Sequence, residues 1–244
     1  MSVDAVVDFM KVLKIPVISG KDSLSATYRG SKGVVIYSPP TLCISVFGKI
    51  PDVKKTISSD FKKIGSTIVL VGQLAHLRGQ HLPGESLMTS GPHLEGESRN
   101  SGGVPRVDLK QLPKVLEKVH QAIVSGKVLA CHDVSDGGLA VTLSEMLLGG
   151  DADGDIGAEI NFDFTNLRSD KALFSETPGF VFEVEDKNAE RVKSLFKFYK
   201  VDLTELGKTR GNNLVIKKKS KKVIDLPITK IREAWTTGFV EALE

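Results

Sequence analysis

Two short segments combine glycine with charged and hydroxyl side chains in an order suited to work on phosphate. The first is Gly20-Lys21-Asp22-Ser23-Leu24-Ser25. Glycine admits close backbone approach, lysine supplies a point charge for phosphate, and aspartate with serine can hold Mg²⁺ or a hydroxyl. It is not a Walker A loop, because Ile15 stands where that motif needs its first glycine. A plain strand-to-loop turn with solvated charges explains the same residues. The second segment is His132-Asp133-Val134-Ser135-Asp136-Gly137-Gly138. Backbone N–H groups at the start of the following helix favour an anion, and Gly137-Gly138 leaves the backbone open to a ligand. Asp133 and Asp136 repel a bare phosphate, so the consistent arrangement places Mg²⁺ between carboxylate and phosphate oxygens. The competing reading makes Ser135 or Asp136 a helix cap and Asp133 a turn residue. Two such turns in one chain strengthen the phosphate reading.

The elements that must carry these turns follow from apolar spacing. Val3, Val6, Phe9, Met10 and Leu13 recur at helical spacing, with Ser2 available as a cap. Ile15 to Ser19 reads as a short buried strand leading into the Gly20 turn. Gly33 to Tyr37 and Leu42 to Ile50 read as further extended runs, and Lys54 to Lys63 as a surface connection. An apolar strand starts at Thr67, and a domain boundary is placed just before it, giving 1–66 and 67–244. Leu82 to Val104 is a long polar, glycine- and serine-rich tract of the kind that is either functional or disordered. Then follow a helix from Leu109 to Val124, a strand from Lys127 to Cys131, the His132–Gly138 turn and a helix from Leu139 to Leu148. Phe180 to Val184 is a strand and Asn188 to Tyr199 an amphipathic helix. Leu214-Val215-Ile216 and Val223-Ile224 flank a lysine-rich turn, and Ile228 to Leu243 closes the chain as a helix. Strands and helices alternate irregularly with several antiparallel-looking pairs, which predicts the α+β class.

Other segments carry less chemistry. Asp151-Ala152-Asp153-Gly154-Asp155 has its glycine and acids at the wrong offsets for a calcium loop. His76, His81 and His93 lack zinc spacing, and His120 lies on a helix without a partner histidine. Cys131 and His132 are strand neighbours pointing to opposite faces, not a nucleophile and its base. Lys217-Lys218-Lys219-Ser220-Lys221-Lys222 reads as an exposed hairpin turn. Phe174-Ser175-Glu176-Thr177-Pro178-Gly179 is either a functional loop or a tight strand entry.

Composition bounds the partners. The chain has 244 residues, 41% hydrophobic and 26% charged, with a net charge of +3. That excess is too small for an electrostatic footprint on nucleic acid. Two cysteines cannot build a disulfide framework and fit a reducing compartment. Thr67 to Gly72 is the most apolar short run and is strand-sized, so no membrane partner is expected. The N-terminal residues do not read as a signal peptide, and the cytoplasm is the expected location.

With these residues in view, a resemblance emerges. Val17-Ile18-Ser19-Gly20-Lys21-Asp22-Ser23-Leu24-Ser25 and His132-Asp133-Val134-Ser135-Asp136-Gly137-Gly138-Leu139 resemble two signatures of the phosphoribosylformylglycinamidine synthase family, in its last synthetase repeat. Phe174 to Val184 and the closing helix from Pro227 match in kind and order. The likeness runs through essentially the whole chain. It implies the fold shared with aminoimidazole ribonucleotide synthetase: part of a barrel-forming half in 1–66 and a complete α+β domain in 67–244. It also implies ATP-dependent amidation of formylglycinamide ribonucleotide with ammonia drawn from glutamine, a step of purine synthesis. By resemblance, Asp133 is a Mg²⁺ ligand, with Asp22 and Asp136 as further candidates. Ser135, Lys21, Ser23, Gly137 and Gly138 line the site of ATP or ADP. No catalytic residue is assigned. The first repeat, with its glycine-rich segment and acidic metal ligands, and the glutaminase must then come from elsewhere, and the chain is expected to be a C-terminal piece, inactive alone. Two alternatives remain: a noncatalytic nucleotide-binding or assembly subunit, and another ATP-using enzyme of the same superfamily.

Overall fold

The computed structural model describes residues 2–21, 27–37, 41–72, 107–149 and 155–241. Asp22, Ser23, the Leu82–Val104 tract, His76, His81, His93 and residues 151–154 lie outside them. The chain divides into two compact units, Met1–Val53 and Lys54–Glu244, so the division falls ahead of Thr67.

In the smaller unit, helix α1 (Ser2–Leu13) half-buries Val6, Phe9, Met10 and Leu13 of the predicted stripe but leaves Val3 74% exposed. Strands β1 (Thr27–Arg29) and β2 (Val35–Tyr37) form an antiparallel hairpin, with Thr27 opposite Tyr37 and Arg29 opposite Val35. A 3₁₀ turn at Ser31–Gly33 joins them. Two expectations fail. Ile15–Ser19 and Leu42–Ile50 form no strand, and Ile18 and Phe47 are 72% and 81% exposed. A strand needs a neighbour to take its N–H and C=O groups, and among the described residues of this unit only β1 and β2 pair.

The larger unit is built on one seven-stranded sheet. In chain order it contains β3 (Thr67–Gly72), α2 (Leu112–Val124), β4 (Val128–Val134), α3 (Gly138–Met146), β5 (Ala158–Asn161) and α4 (Ser169–Leu173). Then come β6 (Gly179–Val184), α5 (Asp186–Phe198), β7 (Asp202–Thr209), β8 (Asn213–Lys218), β9 (Lys221–Pro227) and α6 (Ile228–Glu241). The strand order is β4-β6-β3-β7-β5-β8-β9; β5 and β8 run parallel, and the other described pairs are antiparallel. The α+β class predicted from the sequence is what the chain adopts.

Both faces of the sheet are covered, which explains the continuous apolar run in β3. Ile68 and Leu70 face one core with Leu139 and Leu143 of α3 and Leu173 of α4. Val69 and Val71 face the other with Val115 and Val119 of α2 and Val192 and Phe196 of α5. Each fully buried side chain of this size contributes roughly 1.5–3 kcal/mol.

A strap at 58–66 fastens the chain onto this sheet before β3 begins. The Cys131 N–H donates to the Ser58 carbonyl at 3.2 Å, and the Phe61 N–H to the Met146 carbonyl at 2.9 Å. Glu183, fully buried on β6, accepts the N–H groups of Lys62 and Lys63 at 2.7 and 2.9 Å. The surface connection read at Lys54–Lys63 therefore includes a buried anchor, Phe61.

The lysine-rich hairpin turns through Lys219 and Ser220, both at positive φ (49° and 63°), as a two-residue hairpin turn requires. Three of its lysines are engaged in the fold. Lys217 pairs with Glu159, Lys218 donates to the Leu167 carbonyl, and Lys222 pairs with Asp225 at 2.6 Å.

Candidate functional site

Strand β4 continues through His132 and Asp133 to Val134, so the turn itself is only Ser135–Gly137 and α3 starts at Gly138. Asp133 is thus a strand-end residue, and its side chain is 61% exposed. Ser135 and Asp136 are exposed in the turn. Neither caps the helix: the N-cap position is Gly137, and no side-chain cap hydrogen bond forms.

Three strand ends meet here. Val134 lies opposite Gly179 of β6, and Gly179 lies opposite Gly72 of β3. The loop entering β6 packs on the turn after β4. A Cβ added to Gly138 would sit 2.6 Å from the Ser175 carbonyl oxygen, and Gly138 has φ +65°. Only glycine fits a left-handed backbone with another chain segment so close. At Gly72 (φ +141°) a Cβ would come within 2.9 Å of the Gly179 Cα. The Phe174–Gly179 loop is therefore more than a strand entry, because it forms one wall beside the Asp133 turn.

That wall supplies a residue the sequence reading did not single out. The Gly137 N–H donates to Glu176 Oε1 at 3.2 Å, placing a carboxylate at the positive end of α3. On the other side, the Asp133 carbonyl oxygen accepts from Thr142 Oγ1 at 3.1 Å and lies 2.7 Å from His132 Nδ1. His132 Nε2 is 3.2 Å from Glu145 Oε2. The signal for Thr142 was present in the sequence as a hydroxyl among the apolar residues Leu139, Ala140, Leu143 and Met146. Burial, helped by the negative charge of Asp133, pushes the Cys131 thiol up to about 12. It is a half-buried, unreactive strand residue.

The structure brings together Asp133, Ser135, Asp136, Gly137 and Gly138. Lys21 lies exposed in the other unit, and Asp22 and Ser23 lie outside the described residues. Among the described residues, no group of three or more His, Cys, Asp or Glu can hold a metal by itself.

Residues 63–218 match the family model described as AIR synthase related protein, C-terminal domain. The phosphoribosylformylglycinamidine synthase subunit PurL of Thermomicrobium roseum is 31% identical over 242 residues, covering 99% of this chain and 30% of that protein. The chain thus spans under a third of that relative's length. Among solved structures, T. maritima PurL complexed with FGAR superposes with a TM-score of 0.63 at 14% identity, over 94% of this chain and 36% of that one. T. maritima PurL complexed with ATP gives 0.55 at 15% identity, over 74% of this chain and 28% of that one.

Proposed function

The chain belongs to the AIR synthase related proteins through their C-terminal domain, and from that footing we propose that it is the C-terminal part of a phosphoribosylformylglycinamidine synthase. The whole enzyme would convert formylglycinamide ribonucleotide to its amidine with ATP and glutamine-derived ammonia, in the cytoplasm. Residues 1–66 belong in this reading to a barrel-forming half and 67–244 to the synthetase domain. The rest of the synthetase and a glutaminase domain or subunit are its partners.

The observation that carries the reading is the exposed carboxylate of Asp133, held at the end of β4 beside the turn that opens α3. Asp133 would hold Mg²⁺. Ser135 would contact the nucleotide by its hydroxyl, and Gly137 and Gly138 leave the backbone free for close approach. The donor set fits this role. Mg²⁺ is commonly bound through one or two carboxylates, with phosphate oxygens and water completing its shell, and no preformed protein cage is needed. When bound, the ion neutralises phosphate charge that Asp133, Asp136 and Glu176 would otherwise repel. Lys21, Asp22 and Ser23 would, by resemblance, line a nucleotide or substrate cleft.

Calorimetric titration of the chain with ADP, with and without Mg²⁺, tests the site. Binding is expected to tighten with Mg²⁺, and the Mg²⁺-dependent part to weaken about tenfold or more in Asp133→Asn, the scale of disturbing a metal site. Unchanged affinity in that variant removes Asp133 from the metal site. The same preparation should make no amidine from ammonia, ATP and formylglycinamide ribonucleotide; turnover would show that the first repeat is dispensable.

A further inference from the structure

The geometry points to Thr142 as the positioning residue for Asp133, an inference that rests on the reading of Asp133 as the Mg²⁺ ligand. Asp133 is the last residue but one of an edge strand, and its side chain is largely exposed. Packing does not orient such a carboxylate. Its backbone does, together with His132 Nδ1 at 3.4 Å from Asp133 Oδ1, and that backbone is tied to α3 at two points. Thr142, 1% exposed, donates its hydroxyl to the Asp133 carbonyl at 3.1 Å. His132 brackets the same carbonyl at 2.7 Å while its other nitrogen lies 3.2 Å from Glu145. Thr142 and Glu145 are three residues apart on α3 and so share one face of the helix.

The helix end of this tie is rigid. Leu139, Leu143 and Met146 of α3 are at most 1% exposed and belong to the core formed with Ile68 and Leu70. The Asp133 peptide is thereby fixed to a helix whose inner face is fully buried. A ligand presented from a fixed peptide loses less freedom when it binds a cation, which is how outer partners raise metal affinity. A hydroxyl buried on an apolar helix face otherwise offers no gain over valine of the same shape.

Thr142→Val keeps the volume and removes only the donor. The readout is the Mg²⁺ concentration that half-saturates ADP binding, alongside ADP affinity in the absence of Mg²⁺. Loss of one neutral hydrogen bond predicts a midpoint raised about threefold to tenfold, with Mg²⁺-free affinity unchanged. Thr142→Ser, which keeps the hydroxyl, should restore the midpoint. Glu145→Ala is a second probe on a half-exposed position and should move it in the same direction if Thr142→Val does not fold. An unchanged midpoint in a folded variant, with Mg²⁺-dependent binding intact in the parent chain, overturns the assignment alone. Absence of any Mg²⁺-dependent ADP binding in the parent overturns the metal site and this assignment with it.

Discussion

Replacing Glu183 sets two effects of known direction against each other. Its carboxylate is fully buried and accepts two backbone N–H groups from the strap, Lys62 at 2.7 Å and Lys63 at 2.9 Å. Burial raises its pKa above the ordinary 4.5, outweighing the two N–H groups and the nearby Lys62 charge, which act to lower it. Glu183→Ala leaves both donors without their acceptor, at about 1–3 kcal/mol each, so roughly 2–6 kcal/mol in total. Glu183→Gln keeps one acceptor oxygen and turns an NH₂ toward the other donor, yet it removes a buried charge. Its expected cost at pH 7 is below about 1.5 kcal/mol, because the gain offsets most of one lost bond. The pH dependence has a definite sign. With the folded pKa raised, the native state binds more protons than the unfolded chain above 4.5. The carboxyl's contribution is therefore fully present below that value and is lost as pH rises through the folded pKa. The penalty of Glu183→Gln relative to the parent should grow from pH 7 toward pH 4.5, read by urea denaturation with circular dichroism. A penalty independent of pH, or a glutamine variant as damaged as the alanine one, would refute the reasoning.

Two further outcomes test the walls of the site. Gly138→Ala should cost about 2 kcal/mol or more, from a left-handed alanine plus contact with the Ser175 carbonyl, measured by urea denaturation; a cost below about half a kcal/mol would mean the loop and the turn do not touch. Thiol labelling at pH 8 should modify the exposed Cys43 first and Cys131 only on unfolding, since burial holds the Cys131 thiol at about 12; equal rates would contradict its placement in β4.

The parts of this fold legible in the sequence are those whose pattern is local. The apolar run in β3, the helical spacing of α2 and α5, and the hairpin of β8 and β9 declare themselves within a few residues. Strand β7 does not: Asp202-Leu203-Thr204-Glu205-Leu206 carries few apolar residues, because only part of its surface faces a core. Its place beside β3 depends on pairing with a strand some 130 positions earlier in the chain. The site divides the same way. Asp133, Ser135 and the glycines stand out as a contiguous motif, whereas Thr142, Glu145 and Glu176 acquire roles only when α3 and the β6 entry loop fold against it. In the smaller unit the extended run expected over Leu42 to Ile50 fails, because among the described residues no neighbour pairs with it, and the segment forms no strand.

The two ends of the central strands are built for different work. At one end, Thr67 of β3 and Val184 of β6 are bound up with the strap, where Glu183 closes a buried polar contact and Thr209 accepts the Ser66 N–H at 2.9 Å. These hydrogen bonds favour rigidity, although the buried Ser66 hydroxyl finds no partner among the described residues. At the other end, Gly72, Gly179 and the Gly137-Gly138 pair bring three chain segments together with little side-chain bulk between them, and the acidic side chains there point to water. The placement of glycine explains why the carboxylates of Asp133, Asp136 and Glu176 remain exposed while that of Glu183, four strand positions from Gly179, is committed to the fold.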